Sequence, residues 1–273
     1  MNVTEQMTQL AKQAKAASRA LVRLSTAEKN ACLLAMADAL EANGDAIKQA
    51  NALDMDFGAK AGLSTAMLDR LKLDDKRIAA MANGLREVAA LKDPVGRILD
   101  ERTRPNGLKL QKISTPIGVV VIIYESRPNV TADAASLCFK SGNATILRGG
   151  KEAMNSNQII ARTMIESARK VNSKFPEHAI QVVATADRDA IPALHTQINV
   201  LRQRKQGRDG VAICRGHNLN SVLRKTGVHL ARCLDHRASD DLIRVHRFFA
   251  AAQNRGVTRL ETKARRVRRH VGT

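Results

Sequence analysis

Asn129 and the run Arg148-Gly149-Gly150-Lys151-Glu152 are the residues best suited to chemistry in this sequence. Two cations bracket a glycine pair and a carboxylate follows, where the chain leaves one apolar run and enters a helical pattern. A helix N-terminus there would present N–H groups and a positive dipole end to an anion. A plain strand-to-helix turn fits the same glycines. The run is not a P-loop, because Glu152 follows Lys151 and Thr145 stands where a glycine is needed. No Gly-x-Gly-x-x-Gly occurs either. Asn129 follows a buried-strand pattern, at the place where open α/β sheets meet ligands. Its amide could donate to a developing oxyanion, or its side chain could cap the next helix.

Two further patterns lie near the C-terminus. Cys214, His217, His229, Cys233 and His236 have a spacing that resembles a zinc-ligand set. In an Arg- and His-rich stretch such a spacing also arises by coincidence, and its order matches no known finger. Arg265, Arg266, Arg268 and Arg269 could meet a phosphate backbone or form a solvated basic end. The chain has one tyrosine, five phenylalanines and no tryptophan. Stacking platforms for bases are therefore scarce and nucleic acid is not the expected partner.

The elements that must position the first set are plain. Val119–Ile123 is β-branched throughout, the pattern of a strand buried on both faces of a parallel sheet. Arg127-Pro128-Asn129 breaks it. A helix follows with Val130, Ala134, Leu137 and Cys138 on one face, closed by Ser141-Gly142. Residues 144–147 form the next strand, and 152–171 the next helix. Residues 179–184 and 198–201 read as further strands. This alternation predicts an α/β fold with a Rossmann-type parallel sheet and right-handed crossovers. Before it comes a helical layer: 4–22, a second helix capped by Ser25 and Glu28 with apolar positions from Cys32 to Ile47, then 63–73 and 77–91. Residues 97–113, around Asn106-Gly107, read as a β-hairpin that lies against a sheet or a partner subunit.

Charge divides the 273 residues unevenly. Residues 201–273 hold 18 Lys and Arg against 5 Asp and Glu, so +13 of the formal +19 lies there. All six prolines precede residue 200, and five of seven histidines follow it. The expected organisation is a domain over 1–200 and a basic, irregular tail over 201–273. No stretch has the length and apolarity of a membrane span, and the first twenty residues lack a signal-peptide core. Four widely spaced cysteines suit reduced thiols and a cytoplasmic setting.

The stretch Pro116 to Asp133, with Tyr124-Glu125-Ser126-Arg127-Pro128-Asn129 inside it, and Ala135 to Glu152 closely resemble the gamma-glutamyl phosphate reductases. That family, also called glutamate-5-semialdehyde dehydrogenase, lies within the aldehyde dehydrogenase superfamily. Leu63 to Leu71 and Asp93-Pro94-Val95-Gly96 match it too, so the resemblance covers about residues 1–200. It implies an aldehyde-dehydrogenase-like fold and NADPH-dependent reduction of gamma-glutamyl phosphate to glutamate 5-semialdehyde and phosphate, a step of proline biosynthesis. It implies covalent catalysis by a cysteine thiolate. It places Arg148 at the adenosine ribose, where a cation suits the 2′-phosphate of NADP(H), and Asn129 at the thioester oxyanion.

The resemblance ends near residue 200. There the family continues with a Pro-Arg-Gly-Gly loop and a segment carrying its nucleophile as Cys-His. Here Cys214 precedes Arg215 and Cys233 precedes Leu234. On this reading the catalytic domain is largely missing, the chain alone is inactive, and a shifted reading frame accounts for its Arg-rich end. Two other outcomes stay open: a nucleic-acid-binding protein acting through the tail, or a non-catalytic NADP-binding partner that docks through the hairpin.

Overall fold

The computed structural model describes residues 2–185, 187, 189–203 and 210–215. Local signals start most helices. In α1 (Val3–Leu21) Asn2 and Glu5 exchange hydrogen bonds as a capping box, and Ser25 and Glu28 do the same for α2 (Thr26–Ala42). The second helix does not reach Ile47, the last apolar position expected in it. The Asn43 amide donates to the Ala39 carbonyl at 2.7 Å and closes α2, and α3 (Gly44–Lys60) begins anew. Ser64 caps α4 (Thr65–Leu71) and Asp74 caps α5 (Asp75–Ala90).

β1 (Ile98–Thr103) and β2 (Lys109–Ile113) form the expected antiparallel hairpin. Its turn is a three-residue loop, not a bare Asn-Gly pair. Gly107 N–H donates to the Arg104 carbonyl and Gly107 takes a φ of 80°, a type I turn followed by a left-handed residue. The hairpin is almost wholly exposed.

The parallel sheet is built from β3 (Gly118–Ile123), β4 (Ala144–Arg148), β5 (Ile180–Val182) and β6 (Gly210–Arg215), in the order β5-β4-β3-β6. β3 is therefore flanked on both sides, which explains its continuous β-branched run. The crossovers are α6 (Asn129–Lys140), α7 (Met154–Val171) and α8 (Ala190–Gln203). Helices α6 and α7 pack together, with α2 and α5 outside them, while α1 and α8 pack against each other. Helix α6 ends as expected at Gly142, with φ 74°. The Gly142 and Asn143 N–H groups donate to Phe139 and Cys138, a Schellman closure.

Two expectations change. Residues 198–201 are not a strand but the last part of α8. Ile191, Leu194, Ile198 and Leu201 keep a spacing of three and four, which a short apolar run conceals. The tail expected to be irregular from residue 201 supplies the end of α8 and β6, whose backbone pairs in parallel with β3 from Gly118–Gly210 to Ile123–Arg215.

Candidate functional site

The strand order reverses at β3: β4 lies on one side of it, and β6, reached through α8, on the other. Such a switch point opens a crevice at the carboxyl ends of the strands. The loop after β3 and the loop after β4 both end there. Tyr124 N–H donates to the Arg148 carbonyl at 3.0 Å, which carries the ladder one residue past the strand ends and holds the loops together.

Asn129 is the first residue of α6 and is half-buried. It does not cap the helix; α6 has no side-chain cap. Its amide instead donates to Asp133 Oδ2, one turn on, at 3.4 Å. Desolvation pushes the Asp133 carboxyl up to about 7, against the Asn129 hydrogen bond.

The structure brings Arg148, Gly149, Gly150, Lys151 and Glu152 to the same end of the sheet. Lys151–Ala153 form a single 3-10 turn leading into α7. The Ser126 hydroxyl donates to the Glu152 carboxylate and ties the two loops. Beneath them Tyr124 OH and Thr131 Oγ1 lie 2.6 Å apart, and Thr131 Oγ1 donates to Asn157 Oδ1 at 2.9 Å. Burial pushes the Tyr124 phenol well above its ordinary range, so it stays neutral. Gly149 is required by this packing: a Cβ there would overlap the Asn157 amide nitrogen and lie 3.2 Å from Tyr124 Cε2. Gly149→Ala is expected to destabilise the fold by about 1–3 kcal/mol, as overpacking does. At Gly150 the three atoms nearest a Cβ all belong to the far end of the Glu152 side chain. Gly150→Ala should cost clearly less, and urea unfolding of the two variants checks the difference.

One residue of the site escaped sequence reasoning. The N-terminus of α7 already holds an anion, the buried carboxylate of Asp54 from α3. Asp54 accepts the Asn155 N–H at 3.1 Å and side-chain amide at 2.8 Å, and the Ser156 N–H at 2.7 Å and hydroxyl at 2.6 Å. No local signal marks it, because its partners are about a hundred residues away. An exogenous anion at this loop must therefore be held by Arg148, Lys151 and the loop itself.

The two cysteines with described side chains lie away from this end. Cys32 is buried in α2 with its thiol near the Ala168 carbonyl, and burial pushes it up to about 11. Cys138 is buried in the last turn of α6. Cys214 lies in β6 opposite Ile122. His217, His229, Cys233 and His236, with Arg265 to Arg269, lie outside the described residues. Among the described residues no group of three His, Cys, Asp or Glu could hold a metal ion, and no helix is long and apolar enough to cross a membrane.

No family model matches the sequence. The chain is 56% identical over 189 residues to the gamma-glutamyl phosphate reductase of Syntrophomonas wolfei, covering 69% of this chain and 45% of that protein. It superposes on the solved gamma-glutamyl phosphate reductase of Thermotoga maritima with a TM-score of 0.68 at 33% identity, over 80% of this chain and 51% of that one. An NAD-dependent benzaldehyde dehydrogenase from Corynebacterium glutamicum, at 18% identity and TM-score 0.58, covers 78% of this chain and 46% of its own and shares the fold. The chain thus spans about half the length of the relatives it matches. The fold is aldehyde-dehydrogenase-like.

Proposed function

We propose that this chain, a relative of the gamma-glutamyl phosphate reductases, supplies the NADP(H)-holding part of that oxidoreductase. The reaction would be reduction of L-glutamate 5-phosphate to L-glutamate 5-semialdehyde and phosphate. The observation that carries this reading is the convergence of Arg148, Lys151 and Glu152 with Asn129 at the carboxyl end of β3 and β4, beside the switch point. The residue types fit the cofactor. Two cations suit its phosphates, and Asp54 leaves that task to them by filling the α7 N-terminus. The Glu152 carboxylate, which already accepts from Ser126, has lone pairs left for a ribose hydroxyl. NADPH, when bound, supplies the hydride. Asn129 then offers an amide donor to the oxyanion, and Asp133 one turn on holds that amide in place. Residues 201–273 lack the family's Cys-His pattern, so no cysteine of this sequence is assigned as the attacking thiol. On this reading the chain alone binds the cofactor without turning over. The exposed apolar side chains of the hairpin (Ile98, Leu108, Leu110 and Ile113) suit contact with a second subunit.

The test is a fluorescence titration of the full chain with NADPH and NADH. Arg148→Ala is expected to weaken NADPH binding by about tenfold or more, the scale of a charge-assisted hydrogen bond, and NADH binding far less. Equal affinity of the variant and the wild type for NADPH refutes the assignment. A parallel NADPH-oxidation assay with gamma-glutamyl phosphate generated in situ is expected to show no turnover.

A further inference from the structure

Helix α6 opens to solvent at one place. Nine of its twelve residues are buried, and the three that are not, Asn129, Val130 and Asp133, stand together at its N-terminal end. Val130 packs against the core, so the polar side chains that α6 presents there are the Asn129 amide and the Asp133 carboxyl. They lie one turn apart on one stripe of the helix, with Asn129 Nδ2 3.4 Å from Asp133 Oδ2. Two other carboxylates drawn into the fold have their partners. Asp54 accepts from two N–H groups, a side-chain amide and a hydroxyl, and Asp93 pairs with Lys29. Asp133 has the one long bond from Asn129, and no lysine or arginine is paired with it among the described residues. Burial without a cation is what pushes its carboxyl up to about 7. At neutral pH such a group costs the fold stability rather than adding to it, and groups of this kind gather where ligands bind.

We propose that Asp133 selects the amino end of the substrate: its carboxylate receives the free α-ammonium of a glutamyl acyl phosphate while Asn129, one turn before it, receives the acyl oxygen. This rests on the reading of Asn129 as the amide donor to the oxyanion. The donors suffice, since the Asn129 amide has two N–H groups, one for Asp133 and one for the oxyanion. The distances agree as well. Five bonds separate the α-nitrogen of a glutamyl group from its 5-carbonyl oxygen, a span of roughly 5–6 Å at ordinary bond lengths. An oxygen about 2.9 Å from the amide and an ammonium about 2.8 Å from the carboxylate cover that span, because the two protein atoms are themselves 3.4 Å apart. The ammonium also supplies the cation that the fold leaves out, so binding ionises Asp133. An acylated amine has no charge to offer and leaves the carboxyl unpaired. The same contact therefore discriminates against N-acylated glutamyl phosphates and against acyl phosphates that lack the amine.

The test titrates the full chain with two probes that differ only at the amine, L-glutamate 5-methyl ester and its N-acetyl derivative. NMR follows the Asn129 side-chain amide and the Asp133 carboxyl. The ester with the free amine is expected to bind about tenfold more tightly, the scale of one charge-assisted hydrogen bond, and to move the Asp133 carboxyl to its ionised shift. Asp133→Asn keeps an acceptor for the Asn129 amide and removes the charge. It is expected to lose about tenfold in affinity for the free amine and little for the N-acetyl ester, which erases the preference. A merely structural Asp133 would weaken both esters equally, and that result overturns the proposal. So does a wild type that binds both esters alike, or neither, while NADPH still binds; the cofactor reading then stands. If the wild type binds neither NADPH nor the esters, both readings fall.

Discussion

Asp93→Ala is expected to lower the unfolding free energy by about 3–5 kcal/mol, the cost of leaving one half of a buried ion pair behind. Lys29 in α2 and Lys140 at the end of α6 are both buried. Asp93, in the linker between α5 and β1, pairs with Lys29 and also accepts the Thr26 hydroxyl and the Val95 N–H, each at 2.9 Å. Lys29 donates back to the Lys140 carbonyl at 3.2 Å, and the Lys140 ammonium donates to Asn30 Oδ1 at 2.5 Å and the Ala89 carbonyl at 2.7 Å. One carboxylate thus joins α2, α5 and α6 while offsetting two buried cations. Removing it strands Lys29 and deepens the repulsion between the lysines. Replacing the pair together, Lys29→Met with Asp93→Leu, should cost less than Asp93→Ala alone, because no uncompensated charge then remains at Lys29. Guanidinium unfolding of both variants decides this, and an Asp93→Ala loss under 1 kcal/mol would refute it.

The pH dependence of this hub has a defined sign. Burial alone would raise the Asp93 carboxyl, but the hydrogen bonds from Lys29 and Val95 outweigh it and hold the group below its ordinary 3.8. Its contribution is present above that value and disappears as pH falls through the lower folded one. Lys140 is depressed below 10.5, first by burial, with Asp93 opposing and Lys29 adding. Between its folded value and 10.5 the unfolded chain binds more protons, so this group makes stability rise with pH.

Asp54→Ala is expected to cost about 3 kcal/mol, from a lost helix cap and buried N–H groups left without acceptors. Its effect extends beyond stability, since α7 then loses the anion at its N-terminus and α3 its anchor beside the 148–152 loop. NADPH affinity should fall with it, while Asp54→Asn, which keeps an acceptor but no charge, should lie between. Hydrogen exchange of the Asn155 and Ser156 amides checks the structural part. Protection unchanged from wild type would mean that the cap is dispensable.

Much of this architecture is legible without coordinates. The capping box at Ser25 and Glu28, the glycine closing α6 at Gly142, the apolar run of β3 and the hairpin are signals carried within about a turn of chain. So is the candidate site in outline: Asn129 and residues 148–152 each follow a strand, and consecutive parallel strands place their carboxyl ends together. Local periodicity fails where two periods fit the same short run, as at 198–201, where the helix prevails. It fails too at Asn43-Gly44, where one apolar pattern passes over the boundary between two helices.

What the sequence alone determined is the identity of the elements and the chemistry of the two loops, because propensity, capping and patterning act between near neighbours. Only the tertiary structure decided that β6 completes the far side of β3, that Asp54 rather than a ligand fills the start of α7, and that Asp93 serves two lysines. Those pairings join residues from 64 to more than a hundred positions apart in the chain. Chain entropy opposes each one individually, so each forms only when the packed core brings its partners together.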